Sequence, residues 1–415
     1  MFTKSVISLL LAGFAGFDIS AADAQTLREN VLRQAALDAG FVRAAQTHIH
    51  VSPDLVAAGK LVFQTKKLSL ENEIACASCH LDRFGSADGL PNAVGTRGRG
   101  EGVERLMNGG DIIPRNALPF WGRGGKGFDV FFWDGRVELR DGAVASQFQN
   151  QPPSSDPLSV AVHLPPVEIG EMILDNAQNV DLQNENVDEA QKLYELLADR
   201  LRNDPEIGAS LSKAHAIDRE KIQFTHISQA LAAFIRHNFR LKTTKFHKFV
   251  FDGGKLSDDE LEGGLIFYGK GRCSACHNGP YFSDFDFHSI PFPQAGFGRN
   301  GFGVDYGRYN VTLDVADLFK FRTPPLYNVT KTAPYSHSGS IYDLTTAIKI
   351  HVDPLGPSST VPSDSRKRSD FYQVIKIWSN SPLSGIHLSD KDLGNLSAFL
   401  SSLEFESDAP VKVDD

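Results

Sequence analysis

The five-residue string Cys-x-x-Cys-His occurs twice, as Cys76-Ala-Ser-Cys79-His80 and as Cys273-Ser-Ala-Cys276-His277, and the two copies contain all four cysteines of the 415-residue chain. This is the spacing of c-type haem attachment. Two thiols add to the porphyrin vinyl groups, and the adjacent histidine reaches the iron from the proximal side. Two covalently bound haem c groups are therefore expected, one on Cys76, Cys79 and His80 and one on Cys273, Cys276 and His277. A zinc site built from the same four thiolates would need neighbouring knuckles, and these lie 197 residues apart. Two short disulfides would leave both trailing histidines without a role.

Each macrocycle needs its own apolar wall, so two such motifs ask for two cores. Local signals agree. Ser52-Pro53-Asp54 reads as a helix start running through Phe63. Ser257-x-x-Glu260 reads as a capping box for a helix to about Tyr268. Each of these helices leads into a haem motif. Amphipathic stretches follow at Val187–Arg202 and Arg219–Phe239, and a last helix from Ser389 places Leu393, Leu396, Phe399, Leu400 and Leu403 on one face. The segments rich in glycine, proline and aromatics, such as Gly85 to Gly127 and Pro280 to Gly307, suit loops that wrap a haem. The expected fold is all-α: two cytochrome c-like haem domains with long loops and little β. The first spans residues 25–240 and the second 241–415, with the last helix free to pack back on the first.

The chain opens Met1-Phe2-Thr3-Lys4, carries an apolar run from Val6 to Phe17, and reaches Ala22-Asp23-Ala24. A short basic start, an apolar run too short to span a bilayer and a small-x-small site read as an export signal, residues 1–24, cut after Ala24. Covalent haem attachment in bacteria takes place outside the cytoplasm, so both signals point to the periplasm. No later stretch is long and apolar enough to span a membrane. With 42 Lys and Arg against 51 Asp and Glu, the net charge of −9 argues against nucleic acid as a partner.

Beyond the haem motifs, several landmarks recur in order. They are Arg115-Asn116-Ala117; Phe132-Trp133-Asp134-Gly135-Arg136; Pro166-Val167-Glu168-Ile169-Gly170; Gly269-Lys270; His277-Asn278-Gly279-Pro280; Phe321-Arg322-Thr323-Pro324; and Thr332-Ala333-Pro334-Tyr335. With these the chain resembles the bacterial di-haem cytochrome c peroxidases and the related MauG-like enzymes, over nearly all of its length after the signal. The resemblance implies an enzyme whose N-terminal haem, on His80, reacts with hydrogen peroxide, and whose C-terminal haem, on His277, relays electrons. It implies that Trp133 lies between the haems and that Glu168 is the distal-pocket acid. It also implies a calcium ion held by Asn116, Thr332 and Pro334, since oxygen ligands suit a hard cation. A small periplasmic cytochrome or cupredoxin, or a protein substrate, would be the partner, and a homodimer is common in the family. Arg322 and Arg136 are candidate propionate or structural partners.

Two departures from the family pattern carry chemistry. Peroxidases that rest inactive cap the reactive iron with a histidine after the first motif, and between His80 and His163 this chain has none. The N-terminal haem is thus expected to be open to peroxide, with His163 either entering that pocket or standing apart from it. The sixth ligand of the C-terminal haem, eighteen residues after the alanine of Thr-Ala-Pro, is methionine in typical peroxidases and tyrosine in MauG-like enzymes. Here it is His351, with His337 as the competing candidate. A second imidazole favours the oxidised iron where methionine raises the potential. That choice weighs toward a MauG-like oxidase over a plain peroxide scavenger. A di-haem electron carrier without catalysis is the contrasting class. The family's distal glutamine, ten residues after the tryptophan, is replaced by Ala143, with Gln147 and Gln149 nearby and an inserted stretch, Gln151–Pro165, before Glu168.

Overall fold

The computed structural model describes residues 21–149, 151–175, 187–357, 362–363 and 365–405. Most of the expected signal segment lies outside the described residues. The helices are α1 (Ala21–Asp38), α2 (Pro53–Gln64), α3 (Val103–Met107), α4 (Pro157–Ala161), α5 (Val187–Asn203), α6 (Pro205–His215) and α7 (Phe224–Asn238). They continue with α8 (Lys245–Phe251), α9 (Asp258–Tyr268), α10 (Tyr309–Thr312), α11 (Leu344–Val352), α12 (Ser365–Trp378) and α13 (Asp390–Ser401). The β content is small. β1 (Val130–Phe131), β2 (Val137–Arg140) and β3 (Ala143–Ser146) form one antiparallel sheet. β4 (Phe287–His288) pairs with β7 (Phe321–Arg322), and β5 (Phe297–Gly298) with β6 (Gly301–Phe302). The architecture is all-α, as expected.

The helix signals act locally and place the haem motifs. α2 opens at Pro53, whose fixed φ suits a first helical turn. In α9 the capping box is complete: the Ser257 hydroxyl accepts from the Glu260 N–H at 3.3 Å, and the Glu260 carboxylate accepts from the Ser257 N–H at 2.6 Å. The predicted stretch from Arg219 to Phe239 is instead a single turn, Arg219–Lys221, followed by α7.

Two helix crossings repeat one device. α2 crosses α7 at Gly59, where an added Cβ would lie 1.9 Å from the Ala230 carbonyl oxygen and 2.8 Å from the Phe234 Cβ. α9 crosses α13 at Gly263, where it would lie 1.9 Å from the Asn395 carbonyl oxygen and 2.8 Å from the Phe399 Cβ. Each half of the chain thus closes on a helix pair whose backbones touch, with a phenylalanine one turn beyond the contact. Around the first crossing Phe63 packs with Phe120, Phe234 and Phe239; around the second Phe399 packs with Phe246, Phe267 and Phe282. All of α13's predicted apolar face is buried.

The halves interlock at their ends. α13 packs on α9, and what reaches the first half is Phe405 just beyond it, edge-on to Trp121 at 4.7 Å. α1 precedes the first haem motif yet lies on α9 and α8. Leu32 is fully buried against Gly264, Lys255 pairs with Glu29 at 3.1 Å, and the Gly279 N–H donates to the Ala39 carbonyl at 2.8 Å. In space, therefore, α1 belongs with the second half, because its buried face fits the glycine-lined side of α9. No helix among the described residues is long and apolar enough to cross a membrane.

Candidate haem sites and the charged ring between them

Each Cys-x-x-Cys-His string folds as a short 3₁₀ turn, Cys76–Ser78 and Cys273–Ala275. The His80 N–H returns to the Cys76 carbonyl at 3.1 Å and the His277 N–H to the Cys273 carbonyl at 2.9 Å. That wrap turns the sulfurs and the imidazole toward one space. A cavity of about 360 Å³ is walled by Cys76, Cys79 and His80, together with Trp133, Arg136, Glu168 and Glu171. A second, of about 210 Å³, is walled by Cys273, Cys276, His277, His288 and His351. The two cysteine pairs face different cavities, so they cannot share a zinc ion. All four thiols are free, and burial pushes those of Cys76, Cys79 and Cys273 up to about 12.

The imidazoles are set as metal ligands are. His80, His277 and His351 each place Nδ1 2.8 Å from a backbone carbonyl, of Ser86, Phe282 and Ala347. Each Nδ1–H therefore donates, and Nε2 is left as the open, basic end. Burial pushes His80 down to about 3 and His277 to about 4, and lowers His351 as well. Neutral imidazole is the form that binds a metal. The His277 and His351 ring centroids are 6.4 Å apart. Two metal–imidazole bonds of about 2 Å plus two ring-nitrogen-to-centroid distances of roughly 1.1 Å come to about the same span. His337 is engaged elsewhere: its Nε2 meets the Gln294 side-chain oxygen at 2.8 Å, and its ring stacks on Phe321 at 3.7 Å.

Two buried arginines point to the charge of what these cavities take. Arg123, in the first wall, is 7 % exposed and Arg322, in the second, 1 %. Among the described residues neither has a carboxylate partner. Burial pushes both down to about 9, at Arg123 together with the nearby Arg322 charge, and the Arg123 Nε has no acceptor. Buried guanidiniums without a counter-ion are costly. Haem propionates are anions of the kind they lack, so the walls fit the group that the cysteine motifs imply.

Trp133 stands in the walls of both cavities and donates its indole N–H to the Asn116 carbonyl at 2.9 Å. It is held there by a tight loop: at Gly135, with φ 67°, a Cβ would meet the Phe287 ring at 2.3 Å. Asn116 shares both walls, and its side-chain amide lies 2.6 Å from the Pro334 carbonyl, close to the Ser336 carbonyl. Thr332 lines the second cavity, its hydroxyl turned to the Val329 carbonyl. The expected calcium ligands Asn116 and Pro334 are thus in contact.

Glu168 belongs to a ring of charges. Its Oε1 accepts from Arg136 Nη1 at 2.9 Å and faces Arg299 Nη2 at 3.6 Å. Arg136 also holds Asp134, at 3.1 Å. Asp134 accepts from Arg115 at 2.7 Å, and Arg115 forms a double bond pattern with Asp305, at 2.7 and 2.8 Å. Asp305 Oδ2 accepts from the backbone N–H of Arg299 at 3.2 Å, which closes the ring. Burial alone would raise the Asp134 and Asp305 carboxyls; the Arg115 and Arg136 guanidiniums beside Asp134, and Arg115 beside Asp305, instead hold them below the ordinary range. Beside the ring, burial and then the Glu168 charge push the Glu171 carboxyl up to about 7.

The sequence reading missed Glu171, Arg123 and Arg299. Arg136, weighed there as a propionate partner, is occupied by Asp134 and Glu168. His163 lines neither cavity. Ala143, Gln147 and Gln149 are all exposed and absent from the first wall.

The sequence pattern of the family described as di-haem cytochrome c peroxidase matches residues 53–255. The chain belongs to that family. Among its curated relatives is a cytochrome-c peroxidase, IdrP2, of Denitromonas iodatirespirans, 26 % identical over 357 residues, covering 80 % of this chain and 83 % of the relative. Another is the methylamine utilization protein MauG of Methylorubrum extorquens, 24 % identical over 360 residues, covering 86 % and 80 %. Similar solved structures include a MauG-like protein associated with microbial copper homeostasis, with a TM-score of 0.60, 21 % identity and coverage of 88 % and 92 %. The di-haem peroxidase BthA of Burkholderia thailandensis is similar to the same degree, TM-score 0.60 at 20 % identity, covering 88 % of this chain and 89 % of that one. These structures share the fold. As a family member the protein is a haem-containing oxidoreductase.

Proposed function

We propose that the protein is a periplasmic di-haem c oxidoreductase that takes up hydrogen peroxide in the first cavity. His277 and His351 would hold a second haem, which would supply the electron exchange. The contrast between the two cavities carries this reading. The first wall has one imidazole, His80, and a clamped carboxylate, Glu168; of the four histidines in the second wall, His277 and His351 stand at the span of one shared iron. A carrier gains nothing from that asymmetry.

Covalent attachment at the four cysteines and the export signal both argue for the periplasm. Haem iron, when bound, supplies the site that takes up peroxide and stores its oxidising equivalents. The remaining tasks fall to side chains. The Glu168 carboxylate accepts the peroxide proton and returns it to the distal oxygen, so that water leaves. Such general acid–base help is worth roughly two to four powers of ten. Arg136 keeps that carboxylate in place. Trp133, the aromatic residue common to both walls, would carry electrons between them. Asn116, Thr332 and Pro334 would hold a calcium ion. The second imidazole at His351 favours the MauG-like role. A peroxidase drawing electrons from a small cytochrome is the alternative, and the relatives' names support it equally. Rapid steady-state peroxide turnover with reduced cytochrome separates that alternative from a slowly decaying oxidised state.

The test is the EPR spectrum of the ferric protein. One high-spin haem and one low-spin bis-imidazole haem are expected. Two low-spin haems would overturn the open first site, with Met172, also in that wall, as the ligand to suspect. The Glu168→Gln enzyme should react with peroxide about 10²- to 10⁴-fold more slowly; an unchanged rate removes Glu168 from the chemistry.

A further inference from the structure

We propose that Arg299, brought from the second half of the chain on the β5–β6 hairpin, is a positioning residue for Glu168 and completes the first cavity. This rests on the reading of Glu168 as the proton acceptor.

The hairpin is built to put Arg299 there. Phe297 pairs with Phe302 and Gly298 with Gly301, which leaves Arg299 and Asn300 as a two-residue turn. Gly298 is required by close approach, since a Cβ there would lie 2.2 Å from the Val304 carbonyl, and Gly301 by its φ of 116°. From the first half, Asn92 grips the hairpin from both sides, donating to the Phe297 carbonyl at 2.9 Å and accepting its N–H at 3.2 Å. From the second, Asp305 holds the Arg299 N–H. The Arg299 side chain is then part of the first wall, although the residue lies more than 200 positions beyond Cys76.

Charge gives the placement its meaning. Asp134, Asp305 and Arg115 have side chains at most 5 % exposed, and with Arg136 as the second cation their charges balance inside the ring. Such buried partners cannot be removed singly without a large penalty. Arg299 and Glu168, with side chains 35 % and 29 % exposed, are the water-facing end of the ring. The charged and titratable groups facing Glu168 are Arg136, Arg299, Glu171 and Tyr194. Two guanidiniums, Arg136 at 2.9 Å and Arg299 at 3.6 Å, thus hold the Glu168 carboxylate from both sides. At 3.6 Å the Arg299 contact is an ion pair without a hydrogen bond, so it aims and biases the carboxylate without tying up its lone pairs.

The experiment is rapid-mixing of hydrogen peroxide with the two-haem enzyme in Arg299→Gln, Arg299→Lys, Glu168→Gln and the double variant. Arg299→Gln should slow the peroxide step by about tenfold, with melting unchanged. Arg299→Lys, or free guanidinium ion added to Arg299→Gln, should recover most of the loss. In the Glu168→Gln background Arg299→Gln should cost nothing more. An unchanged rate in Arg299→Gln while Glu168→Gln is slow overturns the role of Arg299 and leaves the proposed function intact, as does a fully additive double variant. An unchanged rate in Glu168→Gln overturns both.

Discussion

His163 is 2 % exposed in a cage of Phe148, Tyr194 and Phe224, and its Nδ1–H donates to the Ser159 carbonyl at 2.7 Å. Burial pushes it down to about 4. In the unfolded chain a histidine titrates near 6.5. The neutral ring is therefore at full benefit above about pH 6.5, and its contribution is lost as the pH falls toward 4, where the unfolded state binds the extra proton. At about 1.4 kcal/mol per pH step the loss is roughly 3 kcal/mol. Thermal melting followed from pH 7 to 4 should fall, and should fall less steeply in His163→Gln; parallel slopes would contradict this account. In the sequence His163 had two readings, because a histidine between a haem motif and a candidate acid looks the same in a pocket or in a core. Only the three rings around it, from distant segments, decide. The cysteine motifs were legible because their chemistry needs residues that are adjacent. Arg123 was not, since an arginine is remarkable only once it is buried without an acid.

The α2–α7 and α9–α13 crossings depend on Gly59 and Gly263 in the same way. A methyl group at either position would meet a backbone carbonyl, which cannot swing aside as a flexible side chain could. Gly59→Ala and Gly263→Ala should each destabilise the protein by about 1–3 kcal/mol, read as a lower melting temperature. Loss of stability by one and gain by the other would show that the crossings are not equivalent. These helices were readable in advance because capping residues and apolar spacing act within a few residues. The β5–β6 hairpin was equally readable in principle: Phe297-Gly-Arg-Asn-Gly-Phe302 is a two-residue turn between glycines and aromatics. Its destination was not. Nothing within six residues tells that Asn92 will hold it over the first cavity.

At the scale of the whole molecule the chain does not divide cleanly where its two haem motifs suggest. α1 binds the second half through Leu32 and the Glu29–Lys255 pair, and just beyond it the Phe41 ring packs on Phe246 and Phe282. Leu32→Ala should therefore cost about 3 kcal/mol, and the loss should appear in the melting of the second haem's absorption band before the first. Simultaneous loss at both haems would mean that the interlocked core unfolds as one unit. The closed circuit of carboxylates and guanidiniums has a consequence for biogenesis. Its last link is donated by a hairpin translated long after the first haem motif. A half-made product could bind its first cofactor and still lack the correctly aimed acid. Competence toward a damaging oxidant would then arrive only with completion, a safeguard written into chain order.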